Sequence, residues 1–254
     1  MDVTKETYNP NPRQNANIFS ILFFGYTIPI FRKGRKKTLD VEDLYNPLDN
    51  DRSTLLGNRL EVNWKKQVEN AKINPKKKPS LFRAILKTFW FEIAMLGILL
   101  GIADLILKPT SPLMLGKMLE FYSPNTKTTK EEALFYAGGI VFLNISSTVI
   151  FTQYMMNAIH TGMRVRAAVI VLIYRKAVKL SRTALGETPA GKVVNLLSND
   201  VARFDFASVM CHQLWTGPIS AIIVMTYLYQ EAGLPGVAGI LTIVIMSPLQ
   251  GTFE

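Results

Sequence analysis

The stretch ALFYAGGIVFLNISSTVIFTQYMMNAIHTGM, residues 133–163, contains no Asp, Glu, Lys or Arg over 31 positions. About 20 helical residues suffice to cross a hydrocarbon layer of roughly 30 Å. Residues 206–230 and 232–253 also lack these four residue types, and residues 91–119 stay strongly apolar despite four charges. Because lipid cannot satisfy unpaired backbone groups, we expect helices. The pattern predicts an all-α membrane protein with four spans, at about 91–119, 133–160, 206–230 and 233–254.

Charge divides the 254 residues into two parts. The first 90 carry a net charge of +8 and the other 164 a net charge of +2. The long apolar runs exclude intrinsic disorder for the second part, and the single cysteine, Cys211, excludes a disulfide scaffold. Basic runs often bind nucleic acid, but beside four spans they indicate anionic lipid headgroups instead. We therefore expect the lipid bilayer as a partner and no nucleic acid.

The distribution of Lys and Arg also predicts the orientation in the membrane. Residues 160–205 hold eight Lys or Arg against three acidic residues, and the first 90 residues are basic as well. Both segments should be cytoplasmic, which leaves 122–132 and the turn at 231–233 outside. Residues 1–17 are polar and lack the apolar core of a signal peptide, so we expect the first span to direct insertion.

The segment before the spans contains two further apolar elements. Ile18–Phe31 is apolar for 14 residues, too short to cross, and basic residues follow it at once. This favours a re-entrant or interfacial helix, and a signal-anchor remnant or a soluble core helix is the alternative. Ser80 can cap an amphipathic helix over residues 81–90. That helix would be an elbow lying on the inner leaflet.

Helical periodicity continues past Met163 to Leu180, well beyond the apolar run. Gly186 is expected to end this helix, and Thr188-Pro189 has the cap and first-turn proline of the next one. The pattern predicts two long cytoplasmic helical extensions joined by a tight turn. Such a stalk suits an exporter driven by cytoplasmic machinery better than a simple channel or receptor.

The sequence resembles the N-terminal part of the multidrug-resistance-associated proteins, the C subfamily of ATP-binding-cassette exporters, in the short form without an extra N-terminal membrane domain. The matching stretches follow the family order over nearly the whole chain. They are NPNPRQNANIFSILFF (9–24), LDVEDLYNPLDNDRS (39–53), KPSLFRAI (78–85), PLMLGKML (112–119), GMRVRAAVIVLIYRKAVKLS (162–181), GKVVNLLSNDVARFD (191–205) and LWTGP (214–218).

The resemblance implies a cytoplasmic lasso and linker over 1–80, an elbow helix over 81–90, and the first part of a type-1 exporter transmembrane domain over 91–254. This last part would supply four of the six helices. The turn between the two extensions corresponds to the family's first coupling helix, which docks on a nucleotide-binding domain. The candidate coupling residues are Arg182, Thr183, Glu187, Thr188 and Lys192, and a solvated polar turn is the alternative.

The sequence contains no G-x-x-x-x-G-K-[ST] loop to hold nucleotide phosphates. We therefore expect no enzymatic activity and no cofactor in these residues, and the resemblance assigns ATP and Mg²⁺ to nucleotide-binding domains of a full-length protein. The chain is expected to be a fragment of a longer protein or an incomplete gene model. The implied function is ATP-driven export of organic anions, conjugates and xenobiotics. The implied location is the plasma membrane.

Polar and adaptable side chains within the spans predict a substrate cavity for amphipathic anions. Asp104 and Lys108 are four residues apart and can pair on one helix face, either in the cavity or as a structural lock. Aromatic and methionine side chains form walls that adapt to varied ligands, although lipid contact or helix packing, which accounts for most apolar residues of a span, is the alternative. These candidates are Phe151, Met155, Met210, Leu214 and Trp215.

Two other functions remain open at this stage. A channel on the same architecture would conduct passively after ATP is withdrawn. A truncated regulatory membrane subunit would be encoded by mature transcripts that end at residue 254. The exporter interpretation instead predicts downstream sequence with two more spans and a phosphate loop.

Overall fold

A computed structural model describes residues 9–74, 78–124, 128–179 and 195–250. All regular secondary structure in these ranges is helical. The chain divides into two compact units. The first comprises Met1–Trp90 and Met163–Phe204, and the second comprises Phe91–Gly162 and Asp205–Glu254.

The N-terminal part of the first unit consists of short helices and one long helix. Its α-helices are α1 (Ile18–Leu22), α2 (Ile28–Lys36) and α3 (Ser53–Ile73). Short 3₁₀ turns connect them. The start of this segment contacts the loop before α3, because the Asn46 amide donates to the Asn9 carbonyl at 2.9 Å.

The single helix predicted over Ile18–Phe31 is broken in the structure. Asn17 caps α1 by accepting the Ser20 amide hydrogen at 2.8 Å. The chain then reverses at Phe24, which has a left-handed φ of 56°, and α2 begins with Pro29 in its first turn. Proline lacks a backbone N–H and fits the start of a helix, so it separates α2 from α1.

The predicted elbow and first span form a nearly continuous helical rod. Helix α4 covers Leu81–Gly101, and Phe89 within it has non-helical backbone angles (φ −115°, ψ 20°). A π-helical segment, Ile102–Leu107, leads into α5, Lys108–Glu120. The Lys108 amide donates to the Ala103 carbonyl, five residues back. Pro109 accounts for this wider turn, because its ring would clash with an ordinary preceding turn.

Helix α6 is the longest element and runs without interruption from Lys130 to Lys179. Its start has a capping box, because the Thr129 hydroxyl accepts the Glu132 amide hydrogen and the Glu132 carboxylate accepts the Thr129 amide hydrogen. At 1.5 Å per residue, its 50 residues extend about 75 Å, more than twice the thickness of a hydrocarbon layer. The predicted continuation of this helix beyond Met163 is confirmed as far as Lys179.

The remaining helices of the described chain begin with a second π-helical segment, Leu196–Asp200. Helices α7 (Arg203–Met210), α8 (Gln213–Ala232) and α9 (Leu234–Gln250) follow. Gly233, with a φ of 66°, makes the tight turn between α8 and α9. Gly236 faces the Leu228 carbonyl so closely that a Cβ there would lie 2.9 Å from the oxygen.

Three helical stretches in the described residues are long and apolar enough to cross a membrane: Leu81–Glu120, Lys130–Lys179 and Leu196–Ala232. Helix α9 has 17 residues, about 26 Å of helix, slightly less than a hydrocarbon layer. The fourth predicted span, 233–254, therefore stays a prediction.

Candidate functional site

Three of the predicted cavity residues meet where the first span changes from π- to α-helical geometry. Lys108 Nζ lies 2.6 Å from Asp104 Oδ1, so the predicted pair forms. The same ammonium group lies 5.1 Å from the centre of the Phe151 ring on α6. An ion pair and a cation–π contact therefore hold the Lys108 ammonium group between two helices of the second unit.

A buried apolar cluster lies beside this pair. Phe151, Met155 and Met210 pack against it and are partly buried. They contribute to the helix interface. The buried members of the cluster are Leu96, Leu100, Tyr154, Ala158 and Val209.

The last two predicted cavity residues differ in their surroundings. Leu214 is 79% exposed, so it lies outside the cluster. Trp215 is 40% exposed, and its ring lies against Gly97 and Gly101 on α4. These glycines are four residues apart, the small-xxx-small spacing that allows helices to approach closely in membranes. That spacing is the signal in the sequence that would have identified the contact.

A buried polar group in the same interface was not predicted from the sequence. The Tyr154 hydroxyl donates to the Val209 carbonyl at 2.6 Å. The His212 ring stands edge to face with the Tyr154 ring, at 6.1 Å between centroids. His212 Nδ1 accepts the Trp215 indole N–H at 3.4 Å, and His212 Nε2 is buried with no hydrogen-bond partner among the described residues.

The five predicted coupling residues, Arg182, Thr183, Glu187, Thr188 and Lys192, lie outside the described residues. The described part of the extension, from Met163 to Lys179, belongs to the first unit. Its contacts with α3 are well defined and were not predicted. Leu56, Gly57 and Leu60 of α3 are buried.

Helix α3 and Asp51, which lies in the 3₁₀ turn before it, contact the extension of α6 at three levels. Asp51 and Arg164 form a largely buried ion pair at 3.3 Å, and the Arg164 guanidinium lies 6.0 Å from the centre of the Phe89 ring. Gly57 lies so close to Val171 that no Cβ would fit without a shift. Glu61 binds Arg175 at 2.5 Å. We call the Asp51–Arg164, Gly57–Val171 and Glu61–Arg175 contacts the α3–α6 clamp, and each of them joins residues more than 110 positions apart.

Charge contacts in the clamp alter the acidity of Glu61. Lys65, one turn later on α3, donates to Glu61 at 2.9 Å, and Arg175 donates from α6. The hydrogen bond from Lys65, followed by that from Arg175, lowers the pKa of the Glu61 carboxyl. Glu61 therefore stays ionised at any physiological pH, and the clamp is not a pH switch.

A second acid organises the segment before α3. Asp43 is only 6% exposed and binds Lys33 at 2.6 Å and Lys37 at 2.7 Å. Hydrogen bonds from Lys33, then Lys37 and the Asp40 backbone amide, hold the pKa of the Asp43 carboxyl well below its usual range. The bond with Asp43 raises the pKa of Lys37. Two lysines of the cluster predicted to face lipid headgroups thus stabilise a turn within the chain.

In the ranges described above, no group of three or more His, Cys, Asp or Glu side chains is arranged to hold a metal ion. The 254 residues also contain no G-x-x-x-x-G-K-[ST] loop to bind the phosphates of a nucleotide. The residues present do not form the ATP and Mg²⁺ site expected of nucleotide-binding domains.

The chain is similar to proteins named as multidrug resistance-associated or ATP-binding cassette sub-family C proteins. It is 37% identical over 240 residues to a probable multidrug resistance-associated protein, lethal(2)03659, of Drosophila melanogaster, which covers 94% of the chain and 17% of the relative. ATP-binding cassette sub-family C member 4 is 40% identical over 247 residues in Homo sapiens (96% of the chain, 18% of the relative). The protein of that name in Mus musculus is 38% identical over 244 residues (95% and 18%). The chain thus spans less than a fifth of the length of these relatives.

A family model described as the ABC transporter transmembrane region matches residues 94–253. The match begins within α4 and includes α5 to α9, the helices that form the second unit and the extension of α6. The matched region is a membrane region. The chain is therefore part of an integral membrane protein, and it belongs to the ABC transporter transmembrane family.

Proposed function

We propose that this chain forms the first part of the membrane domain of an ATP-driven exporter of organic anions, conjugates and xenobiotics. The observation that carries the proposal is the uninterrupted course of α6 from its cap at Thr129 to Lys179. A helix of this length places a rigid lever on one side of the membrane. The proposed partners are two nucleotide-binding domains and a second transmembrane domain of one full-length chain.

The proposed mechanism transmits force along the extension. The 16 residues from Arg164 to Lys179 add about 24 Å of helix beyond the apolar run. At the tip, Arg182, Thr183, Glu187, Thr188 and Lys192 would contact a nucleotide-binding domain. ATP-dependent closure of that domain would tilt the spans, provided that the motor binds the inward and outward states with different free energies. The α3–α6 clamp would stiffen the lever near its base.

The proposed substrate contacts lie in the second unit. Lys108 is half-exposed although it is paired with Asp104, so its remaining hydrogens can meet an anionic group of a substrate. Phe151, Met155, Met210 and Trp215 provide apolar and aromatic surface nearby, and Leu214 would contact substrate only as an exposed residue of α8. The protein would act in the plasma membrane, with its N-terminus in the cytoplasm.

The test uses the full-length protein that contains these residues, in inside-out membrane vesicles. We expect ATP-dependent uptake of an organic anion such as carboxyfluorescein, and no passive conductance after ATP is withdrawn. Passive conductance without uptake would identify a channel and overturn the proposal. Glu187→Lys combined with Lys192→Glu should uncouple ATP hydrolysis from transport, because both charges at the tip are reversed. Unchanged uptake and unchanged substrate-stimulated hydrolysis would remove these two residues from the interface.

A further inference from the structure

A groove of about 350 Å³ lies in the first unit, between α3 and the end of α6. Five cationic side chains, two carboxylates and three apolar side chains line it. The volume falls at the lower end of the range for small-molecule sites. The transport mechanism makes no use of this groove.

Its charge favours an anion. Glu61 already receives hydrogen bonds from Lys65 and Arg175, so that carboxylate is neutralised within the wall. Lys72, Lys176 and Lys179 also line the groove, and Glu69 is its only other acid. The net charge of the lining is +3. Several cations converging on one concave surface attract a multivalent anion, and salt weakens this attraction.

The groove also offers a surface for a ring. The half-buried Trp64 indole forms one wall, and Val68 and Leu172 form apolar surface beside it. Aromatic side chains stack on planar heterocycles, whereas lysines bind phosphate as point charges. Phosphate groups and an aromatic ring in one small ligand would satisfy both parts of the lining.

Distance along α6 separates the groove from the membrane. Leu172 and Lys179 are 8 and 15 residues beyond Arg164, the first charge after the apolar run, or roughly 12 and 22 Å at the helical rise. Lipid headgroups lie at the end of the apolar run, so a soluble ligand reaches the groove more readily. This choice between sources rests on the proposed placement of the span.

We propose that this groove binds a soluble phosphorylated ligand with an aromatic ring, of the nucleotide class. The bound anion would bridge α3 and α6 and reinforce the α3–α6 clamp. Such a ligand would act as a regulator of the lever, separate from any nucleotide that drives transport.

Calorimetry on the purified 254-residue chain in detergent tests the proposal with ATP in the absence of Mg²⁺. The chain has no phosphate loop, so ATP has no such site to occupy. We expect saturable binding that weakens as salt rises. Lys72→Glu with Lys176→Glu should weaken it by at least about tenfold, because two attractive charges become repulsive. Lys176→Gln should weaken binding less. This single variant replaces the double variant as the test if the double variant loses its helical circular dichroism.

Two controls separate the groove from general attraction. Lys66→Glu makes the same charge change on the same helix at an exposed position outside the lining, and it should alter affinity less than about twofold. Trp64→Leu should weaken ATP binding but leave tripolyphosphate binding unchanged.

The proposal fails if ATP does not bind saturably, if Lys66→Glu weakens ATP binding as much as Lys176→Gln does, or if Trp64→Leu has no effect on ATP binding. It also fails if vesicles containing a phosphoinositide, or an acidic peptide, bind more tightly than ATP. None of these outcomes depends on transport, so the proposed function stands or falls separately.

Discussion

Asp43 shows how one buried carboxylate can order a segment that has little apolar core. Its two lysine partners come from the end of α2 and the residue after it, and its backbone carbonyl accepts the Asn9 side-chain amide. A buried acid of this kind is tolerated because each oxygen is paired. The sequence placed Lys33 and Lys37 in a basic cluster but gave no sign that two of its members turn inward, because the pairing depends on a turn at Val41–Asp43.

Asp43→Asn should loosen the segment over residues 33–46. We expect amide hydrogen exchange there to accelerate roughly tenfold at pH 7, since two charge-assisted hydrogen bonds are lost. Glu42→Gln, the same charge change at the exposed neighbouring position, should leave exchange near the wild-type rate. Equal acceleration in both variants would show that overall charge, not the pairing, protects the segment.

The acid dependence of the same segment follows from the depressed pKa of Asp43. An unfolded aspartate has a pKa of about 3.9, whereas the folded carboxyl binds a proton only at lower pH. The stabilisation is therefore fully present above about pH 4, and it is lost as the pH falls through the pKa that Asp43 has in the folded state. Exchange protection, corrected for its intrinsic pH dependence, should persist near pH 4 in the wild type. Asp43→Asn should show no such acid transition.

The Tyr154 hydroxyl gives a second residue-level prediction, in the membrane-spanning unit. Tyr154→Phe keeps the ring in the buried cluster but leaves the Val209 carbonyl without the hydroxyl that bonds it at 2.6 Å. We expect a loss of about 1 kcal/mol in unfolding free energy, the usual size of one hydrogen bond between membrane helices. Thermal unfolding in detergent measures it. Tyr122→Phe, at a largely exposed position, is the control, and an equal shift there would contradict the role of the hydrogen bond.

At the level of elements, the α3–α6 clamp depends on the absence of a side chain at Gly57. A Cβ would collide with Val171, so Gly57→Ala should lower the free energy of unfolding by about 1–3 kcal/mol. This loss exceeds the stabilisation expected from the higher helix propensity of alanine. Gly57→Ala with Val171→Ala should recover part of this loss, because the smaller partner makes room. Denaturant unfolding measures both variants. Gly138→Ala, where a Cβ meets nothing within 4 Å, should be neutral or slightly stabilising.

Elements with a local signal could be predicted from the sequence, and those defined by distant contacts could not. The apolar run and the helical period beyond Met163 were sufficient to predict α6, and the four-residue spacing predicted the Asp104–Lys108 pair. The packing of α3 was not predicted, because its partners on α6 lie more than 110 residues away. The sequence of α3 alone does not indicate which distant residues it contacts. The break at Phe24 was missed because a left-handed phenylalanine is uncommon and has no composition signal.

At the scale of the whole molecule, the exporter interpretation requires that the two ends of α6 lie on opposite sides of the membrane. Cys211 is the only cysteine, so Cys211→Ser gives a background in which single cysteines report topology. In that background, Glu131→Cys should react with an impermeant maleimide added outside intact cells. Lys179→Cys should react only after the membrane is permeabilised, because the basic loop of residues 160–205 favours the cytoplasm. Both positions are exposed, so a missing reaction would not reflect burial. If both cysteines reacted from one side, α6 would not cross the bilayer, and a motor bound beyond Lys179 would have no lever through which to move the spans.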